Sequence, residues 1–102
     1  MTLDVRDAVI KGTLFVERSQ VDGAIDATSC YVGQDLDLGN SVLRNRGAAA
    51  IDGAYLEVKR ELIGEGTEIH GQVNLRWARV HGVRFRGATV NGPTAVRRRA
   101  VR

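Results

Sequence analysis

With 102 residues, 43% of them hydrophobic and 26% charged, the chain is long enough for one domain and too apolar for intrinsic disorder. No apolar run approaches the ~18 residues of a membrane-spanning helix, and residues 1–10 alternate charged with apolar side chains, which is no signal peptide. The single cysteine, Cys30, cannot form an internal disulfide, so the cytoplasm is the expected location.

In chain order the sequence is a succession of similar units. Leu3, Val5, Ala8 and Ile10 make the first. Steps of eleven give Leu14, Val16, Ser19, Val21, then Ile25, Ala27, Cys30, Val32, then Leu36, Leu38, Ser41, Leu43. The step lengthens to fifteen across residues 44–50 (RNRGAAA), which read as a loop bulging from one corner. The units resume as Ile51, Gly53, Leu56, Val58, then Leu62, Gly64, Thr67, Ile69, then Val73, Leu75, Ala78, Val80. A step of ten reaches the eighth, Val83, Phe85, Ala88, Val90. The first and fourth slots are always aliphatic, and the third is small in every unit but the one with Leu56. Such a fixed short period predicts a solenoid.

The spacing within a unit says which kind. Apolar residues two apart point to one face of a strand. The following spacing of three cannot continue a flat strand, so the chain bends there. On a helix, positions i, i+2, i+5 and i+7 would wrap round the axis instead of forming a stripe. Each unit therefore makes two short sides, two units close a coil of about 22 residues, and eight units stack into about four coils roughly 20 Å tall at ~4.8 Å per coil. Gly12, Gly23, Gly71, Gly82 and Gly92 share one offset, where glycine's access to positive φ suits a tight corner. The expected organisation is an all-β solenoid over residues 1–92 and a basic tail over residues 93–102.

Few residues suggest chemistry. Gly64-Glu-Gly66 opens like a dinucleotide fingerprint, but Ile69 stands where the third glycine belongs. His70 and His81 are eleven apart, half a coil, so they fall on opposite sides and cannot share a metal ion. Cys30 occupies an inward small slot and is expected to pack as a small hydrophobe. Asp35 and Asp37 flank the inward Leu36 and point the same way, a pair suited to acid–base work, although such alternation is also what a solvated strand shows. No catalytic, cofactor-binding or metal-binding residue is assigned.

Charge is the remaining signal. Five Lys/Arg and seven Asp/Glu precede residue 52, whereas residues 69–102 hold eight arginines and no acid. Arg76, Arg79, Arg84 and Arg86 occupy outward positions, and Arg97, Arg98, Arg99 and Arg102 lie in the tail. Phosphates attract such clusters by counterion release. Anionic headgroups attract them at about 1 kcal/mol per cation. These eight arginines are the candidate anion-binding residues, for nucleic acid or for peripheral attachment to a membrane, with Trp77 as a candidate interfacial anchor.

Towards the C-terminus the units tighten to strict fives: Ala78-Arg-Val80-His-Gly82, Val83-Arg-Phe85-Arg-Gly87 and Ala88-Thr-Val90-Asn-Gly92. This pattern resembles the pentapeptide-repeat family, which implies a right-handed quadrilateral β-helix. Residues 43–92, with the Gly-Ala-Ala-Ala insertion and Val73-Asn-Leu75-Arg-Trp-Ala78-Arg-Val80-His-Gly82, also look like repeats of actinobacterial proteins labelled membrane-associated oxidoreductases. That resemblance implies an oxidoreductase-related role but brings no catalytic motif to transfer. The functional expectation is a non-enzymatic scaffold or interaction module. It would use no cofactor and would associate with itself or a protein partner through open coil ends.

Overall fold

A computed structural model describes residues 2–92 and 94–96 of the chain. These residues form strands and turns, with no helix among them. In chain order the strands are β1 (Leu3–Asp4), β2 (Val9–Ile10), β3 (Leu14–Phe15), β4 (Gln20–Asp22), β5 (Ile25–Asp26), β6 (Tyr31–Val32), β7 (Leu36–Asp37), β8 (Val42–Asp52), β9 (Glu57–Ile63), β10 (Glu68–Leu75), β11 (Arg79–Arg84), β12 (Thr89–Asn91) and β13 (Thr94–Val96).

Every pairing is parallel, and the registers define a four-sided column. Leu3, Ile25, Ile51, Val73 and Thr94 stack on side one. Val9, Tyr31, Glu57 and Arg79 stack on side two. Leu14, Leu36, Leu62 and Val83 stack on side three, and Gln20, Val42, Glu68 and Thr89 on side four. Each step on side one's first rung, Leu3 to Ile25, is the two-unit coil that the period predicts. The protein is thus a β-solenoid of about four coils.

The repeat slots line its interior. Val16, Ile25, Leu36, Leu38 and Leu75 are buried as expected, and Leu14 and Phe85 are partly buried against the same core. Burying a Leu or Ile side chain stabilises by roughly 1.5–3 kcal/mol, so the stacked columns supply the stability of the coil. The one large residue in a small slot, Leu56, has a local reason. A Cβ on Gly53 would lie 3.2 Å from Leu56 Cδ2 and 2.9 Å from Leu75 Cδ2, so these two leucines take up the space a side chain at residue 53 would need. Gly64 is likewise overlain by the ring of Phe85, 2.9 Å from where its Cβ would stand.

The bend between the second and third slots is a β-turn, closed by bonds such as Cys30 N–H to the Ala27 carbonyl (3.0 Å) and Leu56 N–H to the Gly53 carbonyl (3.0 Å). In all eight units the residue before the third slot is left-handed: Asp7, Arg18, Ser29, Asn40, Tyr55, Gly66, Trp77 and Gly87 have φ between 55° and 72°. This is the systematic positive-φ corner, and it differs from the glycine offset read in the sequence. Of those five glycines Gly23, Gly71 and Gly92 do have positive φ (145°, 143° and 159°), as expected of a corner, whereas Gly12 and Gly82 do not. Arg18, Tyr55 and Trp77 adopt a conformation that costs an ordinary side chain about 1–2 kcal/mol, because closing the turn aligns two buried rungs.

The extra residues fall between intact slots as expected, but within strand β8 as a shift of register and not as a loop, with Ala49 paired to Gln72 and Ala50 buried. Arg44 pairs with His70 and Ile51 with Val73, so residues 45–50 stand opposite residues 71–72. The bulge folds over Gly71, whose Cβ would meet the Asn45 carbonyl at 2.7 Å and the Ala48 carbonyl at 3.0 Å. Asn45 Nδ2 closes it by donating to the Ala49 carbonyl at 2.8 Å.

Candidate binding surface

The polar groups that suggested chemistry are held by the scaffold. Asp37 Oδ1 accepts from the Gly39 N–H at 2.9 Å, and Asp35 Oδ1 accepts from the Glu61 N–H at 3.0 Å. The carboxylate pair is therefore occupied in fastening a turn and joining two coils. Asp4, Asp26, Asp52 and Asn74 form one column on side one, and each accepts from the backbone N–H two residues on, at 3.0, 3.2, 3.4 and 3.1 Å respectively. These Asx bonds hold the following corner. Arg6 forks onto Asp4 at 2.9 and 2.7 Å and reaches Asp26 at 3.6 Å, relieving the stacked like charges. The same guanidinium holds the Asp4 carboxyl down at about 2. Asn74 Nδ2 donates to Asp52 Oδ1 at 3.2 Å higher in the column.

His70 belongs to side four, where Nε2 lies 3.5 Å from Glu68 Oε1, and His81 lies on β11 beside side two. They are apart, as half-coil spacing requires. Among the described residues no group of three or more His, Cys, Asp or Glu side chains is placed to hold a metal ion. Cys30 is 1% exposed, and burial pushes its thiol up. The buried hydroxyls are structural too. Ser41 Oγ donates to the Val16 carbonyl and accepts the Ser19 N–H, and Thr67 Oγ1 donates to the Leu38 carbonyl at 2.6 Å.

The four described candidate arginines are all exposed, but they girdle the last coil instead of forming one patch. Arg76 and Arg79 lie at the corner between sides one and two and on side two, and Arg84 and Arg86 lie on side three and at the corner beyond it. Arg84 is held by Glu61 at 2.8 Å and Glu65 at 3.9 Å. Arg76 and Arg79 have no carboxylate within ion-pair distance among the described residues. Arg97, Arg98, Arg99 and Arg102 lie outside the described residues.

Side two gathers what the sequence reading did not connect. Tyr55 and Trp77 occupy the same left-handed corner one coil apart, with the Tyr55 N–H donating to the Arg76 carbonyl at 2.9 Å. Tyr55 is 61% and Trp77 47% exposed. With Glu57 and Arg79 they line a shallow depression of about 350 Å³. Lys59 and Arg60 stand exposed at the next corner, where the register from Val58↔Val80 to Glu61↔Gly82 sets both opposite His81. The available signal was positional: residues 55 and 77 differ by one 22-residue coil, an interval that stacks side chains wherever neither the insertion nor the shortened last step intervenes.

The chain matches no family model, no curated protein and no solved structure.

Proposed function

We propose that this chain is a pentapeptide-repeat-like β-helical scaffold, a non-catalytic interaction module that docks through an end of its coil stack. The observation that carries the reading is the state of the inward slots at the described ends. Val83 and Val90 are 44% and 37% exposed, against 1% and 0% for Leu62 and Ile69 in the same slots one coil earlier. Leu3, Val5, Ala8, Ile10 and Leu14 of the first coil are only partly buried. Another coil laid on either end would cover them.

The first coil is the end that suits a second copy. Arg76, Arg79, Arg84 and Arg86 ring the last coil and repel their counterparts, whereas Asp4, Asp7, Arg6 and Lys11 mix both signs. Leu3 and Val5 donate their N–H groups to Ala24 and Asp26, and Leu14 and Val16 to Asp35 and Asp37. Alternation along a parallel ladder turns the Asp4 and Phe15 N–H groups the other way, toward an incoming strand. Closed two-fold symmetry then gives a head-to-head dimer. Light scattering at tens of micromolar is expected to give twice the chain mass, and Asp4→Pro with Phe15→Pro to give the monomer mass. A monomeric wild type overturns the proposal.

A further inference from the structure

A second surface, independent of coil-end docking, stands on different residues. We propose that side two binds single-stranded nucleic acid, with bases stacking on Tyr55 and Trp77 and phosphates held by Lys59, Arg60, Arg76 and Arg79.

Two exposed aromatic residues occupy the same turn position in successive coils, whose backbones stack at ~4.8 Å, with φ of 59° at Tyr55 and 63° at Trp77, and both line one depression. Tyr and Trp have only two χ angles each, so ordering them under a stacked base costs little conformational entropy. Arg76 precedes Trp77 at the ring corner, Arg79 follows on side two and Lys59 and Arg60 stand at the next corner, and none of the four has a carboxylate within ion-pair distance among the described residues. Aromatic platforms beside a basic track are the two parts of sequence-tolerant single-strand binding.

Charge and geometry separate this partner from others. In a duplex the base faces are buried in the stack, so Tyr55 and Trp77 would have nothing to lie against. Glu57 lines the same depression as the two rings. Immersing the rings in lipid would desolvate that carboxylate, which is costly. The amino groups on base edges are donors that a carboxylate accepts. The net excess of cations at this corner also disfavours a basic peptide.

Trp77 is the only tryptophan, so its emission reports the site directly. Oligo-dT of twelve nucleotides is expected to quench it, with a dissociation constant on the order of 10⁻⁵ M in moderate salt. Four cations on a single strand imply a log–log salt slope of about −3, or roughly fifty-fold weaker binding at 200 than at 50 mM salt. Anisotropy of a labelled strand should show Tyr55→Asn, which tolerates the left-handed turn, weakening binding about tenfold. Arg79→Gln should reduce the slope by about 0.7. Both variants should melt close to the wild type, because both side chains are exposed. Three results would overturn the proposal: Trp77 emission indifferent to the strand, a duplex of equal length binding as well with Tyr55→Asn unaffected, or emission that answers phosphatidylserine vesicles and not the strand.

Discussion

The third and fourth coils carry the same slots in the same register, yet they differ in what water reaches. Leu62, Thr67 and Ile69 are 1%, 0% and 0% exposed, and their partners one coil on include Val83 at 44% and Val90 at 37%. Within β11 itself the contrast is sharper, since Val80 is 1% exposed. Register decides which way a side chain points. Burial additionally needs covering neighbours, which Val80 has and Val83 lacks within one strand, so an identical slot is worth more where the stack covers it. This is the nearest-neighbour energetics of a solenoid.

The largest effect should separate Val80 from Val83. Val80→Asp places an unpaired charge in a buried slot and is expected to cost about 4 kcal/mol, a large share of the 5–15 kcal/mol typical of a domain. Val83→Asp, three residues on, should cost less than about 1 kcal/mol. Equal losses in urea unfolding would break the comparison and the register with it.

A smaller effect should distinguish Thr67 from Ala88, which occupy one slot in successive coils. Thr67→Val removes the donor to the Leu38 carbonyl and should cost about 1–2 kcal/mol, with little change in packing. Ala88→Thr offers a hydroxyl where water already has access, and should shift stability by less than ~0.5 kcal/mol. Thermal unfolding of both variants checks the ratio.

The smallest effect belongs to the first coil. The Asp4 carboxyl, held at about 2 against an ordinary 3.8, favours the folded state above pH 3.8 and loses that contribution as pH falls toward 2. The melting temperatures of wild type and Asp4→Asn should therefore converge across that interval. A carbon-detected titration of Asp4 with a midpoint near 3.8 would show that Arg6 does not hold it.

The fold was legible because the signal was redundant. Eight units repeat one spacing, and any single slot, such as Gly53 or Leu56, can depart from it without hiding the rest. The lengthened step across residues 44–50 was legible for the same reason, as an interruption between intact slots, but not that it would stay in strand β8 instead of leaving as a loop. The corners were not. Only the glycines and Asp7 and Asn40 among the left-handed residues are types that favour that conformation, while Arg18, Tyr55 and Trp77 are held there by the rungs on either side. The role of the aspartates was equally hidden, because an Asx bond depends on where the chain turns after Asp26 or Asp37, and alternation of charge alone looks like any solvated strand.

By itself the sequence determined the period, and through it the inward set and the 22-residue coil that pairs Leu3 with Ile25 and Leu14 with Leu36. Those follow from a local rule, two residues per strand repeat and a bend of fixed length. Only the tertiary structure decided which residues far apart in the chain become neighbours. It divided the described candidate arginines between sides two and three, gave Arg84 to Glu61, and set Tyr55 one coil below Trp77 beside cations with no carboxylate partner among the described residues. Stacking sums small offsets in every turn, the insertion after Leu43 and the shortened last step included. A surface residue's company therefore depends on the whole path of the coil, whereas its inward or outward direction depends on its own few neighbours.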